Sequence, residues 1–169
     1  FWGGILMIIG SVLLAINPSD FFFLGIAFNV VGTGFFKPNI SSMVGNLYRE
    51  GDHRVDAGFM LFYAGVNAGA FFGGYACIAI GKGEMLSSLV PEAARWNVAF
   101  GLAAFVMLIS LLTFVFTQQS LGTIGLSPLS ALDSTKQKKW YEYVVYLGSL
   151  LIIPVIMKMV AKTEYTDWF

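Results

Sequence analysis

The chain has 169 residues, of which 57% are apolar and 12% charged, and its mean hydropathy is +0.73; a soluble domain carries about 25% charged residues. Basic and acidic residues cancel at ten each, so no net field draws in nucleic acid, and the single cysteine, Cys77, excludes an intramolecular disulfide and any CxxC-type metal site. Disorder, a disulfide scaffold and a soluble enzyme all fit badly; the composition is that of a polytopic membrane protein. The chain opens at Phe1-Trp2 inside an apolar run, without an initiator Met or basic flank, and stops at Trp168-Phe169. It therefore reads as an excerpt, with nothing at Phe1 that resembles a signal peptide.

A spanning helix needs about 20 mostly apolar residues, roughly 30 Å of hydrocarbon at 1.5 Å per residue. Five stretches approach or meet this. Phe1 to Ile16 is uncharged but short; Phe21 to Tyr48 has one charge, Lys37; Ala57 to Ile80 and Trp96 to Thr117 have none. The fifth, Trp140 to Val160, carries Glu142 and Lys158 near its ends. No stretch alternates like a barrel strand, and an open sheet edge in lipid leaves backbone groups unsatisfied, so the expected class is an all-α transmembrane bundle with five spans. Asn17-Pro18-Ser19-Asp20 predicts a tight turn and hence an antiparallel hairpin of the first two spans. Arg49 to Asp56 is a short charged loop, Gly81 to Arg95 a longer one with Pro91, and residues 118–139 read as a linker that turns basic at Lys136, Lys138 and Lys139. Alternating sides place Arg49, Arg54 and those three lysines together, and the positive-inside rule puts that side in the cytoplasm.

Lys37 is the most informative residue. It lies 16 positions into the second span, too deep for its stem to reach the interface without local thinning or tilt. A charge at the bilayer centre costs at least about 2.5–3.5 kcal/mol and is usually retained for a pathway, a relay or a ligand. No acid in the chain lies at matching depth, so the counter-charge comes from a helix outside the chain, a bound anionic group or loss of the lysine's own proton. Asn29, Thr33, Lys37, Ser41 and Gly45 recur every four residues and form one slowly winding stripe. Pro38 removes a backbone N–H and frees the Gly34 carbonyl, predicting a kink beside Lys37. In the third span Gly65, Gly69 and Gly73 form a small-residue ridge suited to close helix contact, while Tyr63 and Asn67 project to another side. Asn67 suits either an interhelical hydrogen bond or a ligand contact. No phosphate-binding loop or Ser/His/Asp constellation is present, so neither ATP-driven transport nor hydrolysis is expected, and the chain reads as a non-enzyme with no cofactor and no metal.

Two neighbouring stretches carry a family resemblance. Gly32-Thr-Gly-Phe-Phe-Lys-Pro-Asn-Ile-Ser-Ser-Met-Val-Gly-Asn-Leu-Tyr48 resembles the fourth span of the proton-dependent oligopeptide transporter family (POT, or PTR). Phe59-Met-Leu-Phe-Tyr-Ala-Gly-Val-Asn-Ala-Gly-Ala-Phe71 is similar to that family's signature, centred on FYxxxNxG, and Gly51 to Phe59 resembles its GDxRxDxGF loop. The resemblance implies part of a major-facilitator fold: residues 1–117 as the third to sixth spans of the N-terminal six-helix bundle, 118–139 as a cytoplasmic linker, and 140–169 as the extra transmembrane helix of bacterial members. It further implies a multi-pass protein of the cell (inner) membrane that couples protons to di- and tripeptide symport by alternating access, as a monomer in the lipid bilayer. Lys37 matches the residue tied to peptide-carboxylate binding and proton coupling. Asn67 matches the residue that contacts the peptide backbone, with Tyr63 beside it. Pro38 and the Gly65, Gly69 and Gly73 ridge would serve the cytoplasmic gate, and Asp52, Arg54 and Asp56 form the loop motif. Val55 stands where many members have a second basic residue, and Gly74 where many have Pro. The family's ExxER motif belongs to a span outside this chain. A relative that moves another anion such as nitrate, and a receptor or scaffold on the same fold, remain open alternatives.

Overall fold

The computed structural model describes residues 1–49, 51–122, 124 and 135–162, and side chains there except those of 135–138. Among the described residues there are five α-helices: α1 (Trp2–Ile16), α2 (Phe22–Asn46), α3 (Val55–Lys82), α4 (Arg95–Thr117) and α5 (Thr135–Ala161), with short 3-10 turns at Glu92–Ala94 and Gln118–Leu121. No strand occurs among the described residues.

Of the five expected spans, three are long and apolar enough to cross a membrane by length and composition, covering Val55–Lys82, Glu92–Leu121 and Lys139–Ala161. The first, α1, has only 15 residues, about 22 Å of rise. The second, α2, is 25 residues long, but its second half holds Lys37, Asn39, Ser41, Ser42 and Asn46, and it misses on polarity rather than length. The expected linker over 118–139 is shorter at both ends: a 3-10 turn extends α4 to Leu121, and α5 begins at Thr135. The early start of α5 has a simple cause, since Lys136, Gln137, Lys138 and Lys139 are unbranched good helix formers although their charge suggests a loop. Most of that linker, with the Ser-Pro step at 127–128, and residues 163–169 lie outside the described residues.

The predicted hairpin is built by its turn residue. Asn17 Oδ1 accepts the backbone N–H of Ser19 at 3.1 Å and of Asp20 at 3.2 Å, and its amide donates to Asp20 Oδ2 at 2.7 Å. These bonds satisfy groups that a reversal of the chain exposes. The returning helix packs against α1 at two glycine pairs. A Cβ on Gly3 would stand 2.6 Å from the Gly32 carbonyl oxygen, and one on Gly10 would stand 2.6 Å from that of Gly25. Close approach of this kind replaces the hydrophobic drive that lipid removes.

Helix α1 also packs on α4, where Asn97 donates to the Ala15 and Ile16 carbonyls at 2.8 and 3.1 Å and so caps the end of α1. Helix α4 packs in turn on α3, where the Trp96 ring fills the space over Gly81. Gly83 ends α3 at φ +79°, a left-handed conformation open to glycine at little cost, with the Arg95 guanidinium laid against it. Helix α5 lies on the other flank, against α2. The contact order is therefore α3, α4, α1, α2, α5, and the sequential neighbours α2 and α3 meet only over a short stretch at their shared loop. Leu6, Ala27, Val31 and Ile153 form the buried centre where α1, α2 and α5 converge.

Candidate functional site

Lys37 sits in an unbroken α2, nine residues or about 14 Å before the helix ends at Asn46. It is exposed, and among the described residues its ammonium makes no hydrogen bond and no ion pair. Of the ten acids, Glu50, Asp133, Glu164 and Asp167 lie outside the described residues; the other six place no carboxylate against it. Pro38 is carried inside the helix without interrupting it. One turn away from the missing N–H, the Asn39 side chain donates to the Phe35 carbonyl at 2.6 Å.

The polar stripe of α2 does not stay on one side. Each four-residue step rotates by about 40°, so Asn29 and Gly45 differ by about 160°. At one end Asn29 turns to α1, accepting from Ser11 Oγ at 3.5 Å and donating to the Gly25 carbonyl at 2.9 Å, and Thr33 Oγ1 donates to Met7 Sδ at 3.8 Å. At the other end Gly45 meets α3, with the Phe59 ring 3.7 Å from where a Cβ would stand. Lys37 falls between these two contacts, in the stretch where α2 and α3 have separated.

On α3, Asn67 is exposed and makes no hydrogen bond among the described residues, and Tyr63 is about half exposed. The Tyr63 ring stacks on Phe59 with centroids 6.4 Å apart and meets Phe62 edge-on at 5.3 Å. A continuous aromatic run thus leads from the Gly45 contact towards Asn67. Among the described residues the glycine ridge meets no other helix: Gly65, Gly69 and Gly73 have nothing within 4 Å of an added Cβ. The close helix contact is instead made by Gly3, Gly10, Gly25 and Gly32, which sequence reasoning passed over. Their signal was present, because Gly3 and Gly10, like Gly25 and Gly32, are seven residues apart, and the contacts Gly3–Gly32 and Gly10–Gly25 are both centred on the Asn17-Pro18 step.

The loop joining α2 to α3 is locked by its own charges. Asp52 Oδ1 accepts the Arg54 backbone N–H at 3.0 Å and Nε at 3.2 Å, and Oδ2 accepts Nη2 at 3.1 Å. The Arg54 side-chain hydrogen bonds, then its backbone N–H, hold the Asp52 carboxyl below the usual carboxylate range, and the same pairing raises Arg54. Asp56 lies in the first turn of α3, where a negative charge suits the helix dipole. Gly58 lets the Tyr48 ring and hydroxyl press against the start of α3. His53 is exposed, and Cys77 is a half-buried packing residue whose thiol donates to the Ala99 carbonyl at 3.5 Å.

The arrangement is one cation and one amide, both exposed and without partners among the described residues, on two helices whose connecting loop carries the Asp52–Arg54 pair. All 169 residues match the family profile described as PTR2, POT family. The chain is 39% identical over 117 residues to the peptide transporter YePEPT of Yersinia enterocolitica, covering 68% of this chain and 21% of that protein. It is 31% identical over 159 residues to a di-/tripeptide transporter of Lactococcus lactis subsp. cremoris, covering 92% of this chain and 29% of that one. Among solved structures, a POT family transporter in complex with a thioalcohol-conjugated peptide superposes with a TM-score of 0.64 at 32% identity over 96% of this chain and 31% of that one. A peptide transporter POT in complex with sulfate does so with a TM-score of 0.63, also at 32% identity, over 100% and 32%. The chain thus spans between about a fifth and a third of the proteins it matches, as the all-helical part of a major-facilitator fold. It belongs to the POT family of transporters.

Proposed function

We propose that this chain forms part of the N-terminal bundle of a proton-coupled symporter for di- and tripeptides that works by alternating access in the cell (inner) membrane, with Lys37 as the group that reads both proton and peptide. The observation that carries the proposal is the ammonium of Lys37, deep in α2 and without an anionic partner among the described residues. An unpaired cation at such depth is costly, and a peptide carboxylate removes that cost by a charge-assisted hydrogen bond in a low dielectric. Protonated Lys37 attracts a carboxylate and the neutral amine does not, so proton and peptide loading are linked, and the linkage is reciprocal. Asn67 offers an amide donor and acceptor for the peptide backbone, and Tyr63 an aromatic wall. The Asp52–Arg54 lock and Asp56 fix the α2–α3 loop, about which Pro38 and the open Gly65, Gly69 and Gly73 face allow the gate to move. The coupling ion is the proton and no cofactor is required. The peptide substrates named for the relatives support this substrate class. The sulfate held by one similar structure favours a second reading, transport of another small anion through the same lysine.

The test is uptake of a labelled dipeptide by the full-length parent in proteoliposomes, with and without an inward proton gradient. Gradient-driven accumulation is expected, and Lys37→Ala should abolish it while thermal stability and membrane yield stay at the parent level. Loss of folding in Lys37→Ala would show a structural lysine, and gradient-driven uptake of nitrate but not peptide would establish the second reading. Asn67→Ala should weaken apparent affinity by about 0.6–1.7 kcal/mol, the range for one polar contact between membrane helices. Unchanged affinity would make Asn67 a packing residue.

A further inference from the structure

Helix α5 does not touch the bundle at random. Tyr146, Ser149, Ile153 and Ile156 recur at three- and four-residue spacing and make a single seam. Ser149 and Ile153 are 2% and 3% exposed, whereas Leu151 between them is 74% exposed, so α5 is fixed along one edge and open along the other. The seam runs in register with α1. The Trp2 indole N–H donates to Ser149 Oγ at 3.0 Å and its ring lies 4.7 Å from that of Tyr146; four residues further along both helices, Leu6 and Ile153 share the buried centre. Ala27 and Val31 of α2 complete that centre, with Trp2, Leu24, Phe28, Phe35, Ile156 and Met157 packed around it. Ser149 also donates to the Tyr146 carbonyl at 2.7 Å, so its one hydroxyl is satisfied both as donor and as acceptor. The bond that crosses between the helices specifies one docking position, because a slide or rotation of α5 leaves the Trp2 indole N–H without a partner in an apolar setting.

We infer that α5 is a fixed member of the α1–α2 body, held by the Trp2–Ser149–Tyr146 latch and the Leu6–Ile153 contact. When the halves of the transporter rock, α5 travels with Lys37's helix. The part about rocking rests on the transport reading above.

The test uses the full-length parent in a Cys77→Ala background that keeps Trp2 and Ser149, with Phe28→Cys and Ile156→Cys, both packed on the shared centre, joined by a short thiol reagent that a reductant cleaves. Cross-linking yield is expected to be the same at high and low pH and with or without dipeptide, and the cross-linked protein is expected to keep the gradient-driven uptake of the same variant before treatment. A yield that falls with substrate or pH overturns the inference. So does uptake that disappears on cross-linking and returns on cleavage. A parent that transports no peptide in any form, yet gives a constant yield, supports the docking and counts against the transport reading alone. Ser149→Ala, which removes the acceptor hydroxyl with little change of volume, should lower the thermal midpoint; no change would show that the latch holds nothing.

Discussion

Helices α2 and α3 each carry regularly spaced glycines, and the structure uses them in opposite ways. At Gly25 and Gly32 of α2, a Cβ would stand under 3 Å from α1 backbone or side-chain atoms; at Gly65, Gly69 and Gly73 of α3 it would meet nothing. The first set is spent inside the chain, on the hairpin that α5 and α4 then clasp. The second set, together with exposed Tyr63 and Asn67, is an open face that none of the described residues covers. The difference separates residues that make this bundle from residues that the bundle presents, and Lys37 lies at the boundary, on a helix that is packed at its start and open in its middle.

The comparison is broken most directly at the hairpin. Gly32→Val places a Cβ 2.7 Å from the Gly3 carbonyl oxygen and 2.9 Å from the Met7 backbone nitrogen, neither of which can turn aside as a flexible side chain does. Overpacking costs about 1–3 kcal/mol, and here the two helices must separate along their length. The expected outcome is the largest loss in the series: a marked fall in folded yield of the full-length parent by size-exclusion chromatography, with a lower thermal midpoint. Gly10→Val should behave alike. A parent-like midpoint for both would mean that α1 and α2 are not as closely packed in the membrane as described here.

Much of the fold was legible because membrane helices must satisfy their backbones internally, and apolar length reports them. All five helices fall where hydropathy places them, and the Asn17 turn follows from a side chain that bonds its own backbone. The boundaries of α5 were less legible, since Lys136 to Lys139 favour helix while their charge suggests loop. Helix packing was least legible. Both glycine sets have spacings that allow close contact, and only the position of each helix among its neighbours decides which is used. The site divides in the same way. Lys37 stands out by its charge, whereas Asn29 and Thr33, placed with it by four-residue spacing, turn out to bond α1, because a 40° drift per step accumulates.

A milder test falls on the open face. Gly69→Val adds two methyl groups where the described residues leave free space, so the thermal midpoint should fall by less than in Gly32→Val. Uptake should nevertheless drop, since the ridge is argued to meet moving parts of the full transporter. Equal destabilisation by the two substitutions would erase the distinction between the packed and the presented glycines. A parent-like uptake rate would remove the ridge from the gate.

The smallest effect belongs to the loop that joins the two regions. Arg54 is 81% exposed and its partner Asp52 only 22%, so the lock works largely in water, where screening is strong. Its pH dependence nevertheless has a definite sign. The Asp52 carboxyl titrates below its ordinary range in the folded chain because Arg54 hydrogen-bonds its charged form. Its contribution is complete above the ordinary value, about pH 4, and fades as pH falls through the lowered one. Arg54 stays charged throughout and adds no slope of its own. Asp52→Asn should therefore show slightly faster amide exchange at the start of α3 than the parent near neutral pH, and the two should converge as the medium is acidified below pH 4. A difference that persists in acid would show that the effect does not come from the charged carboxylate of Asp52.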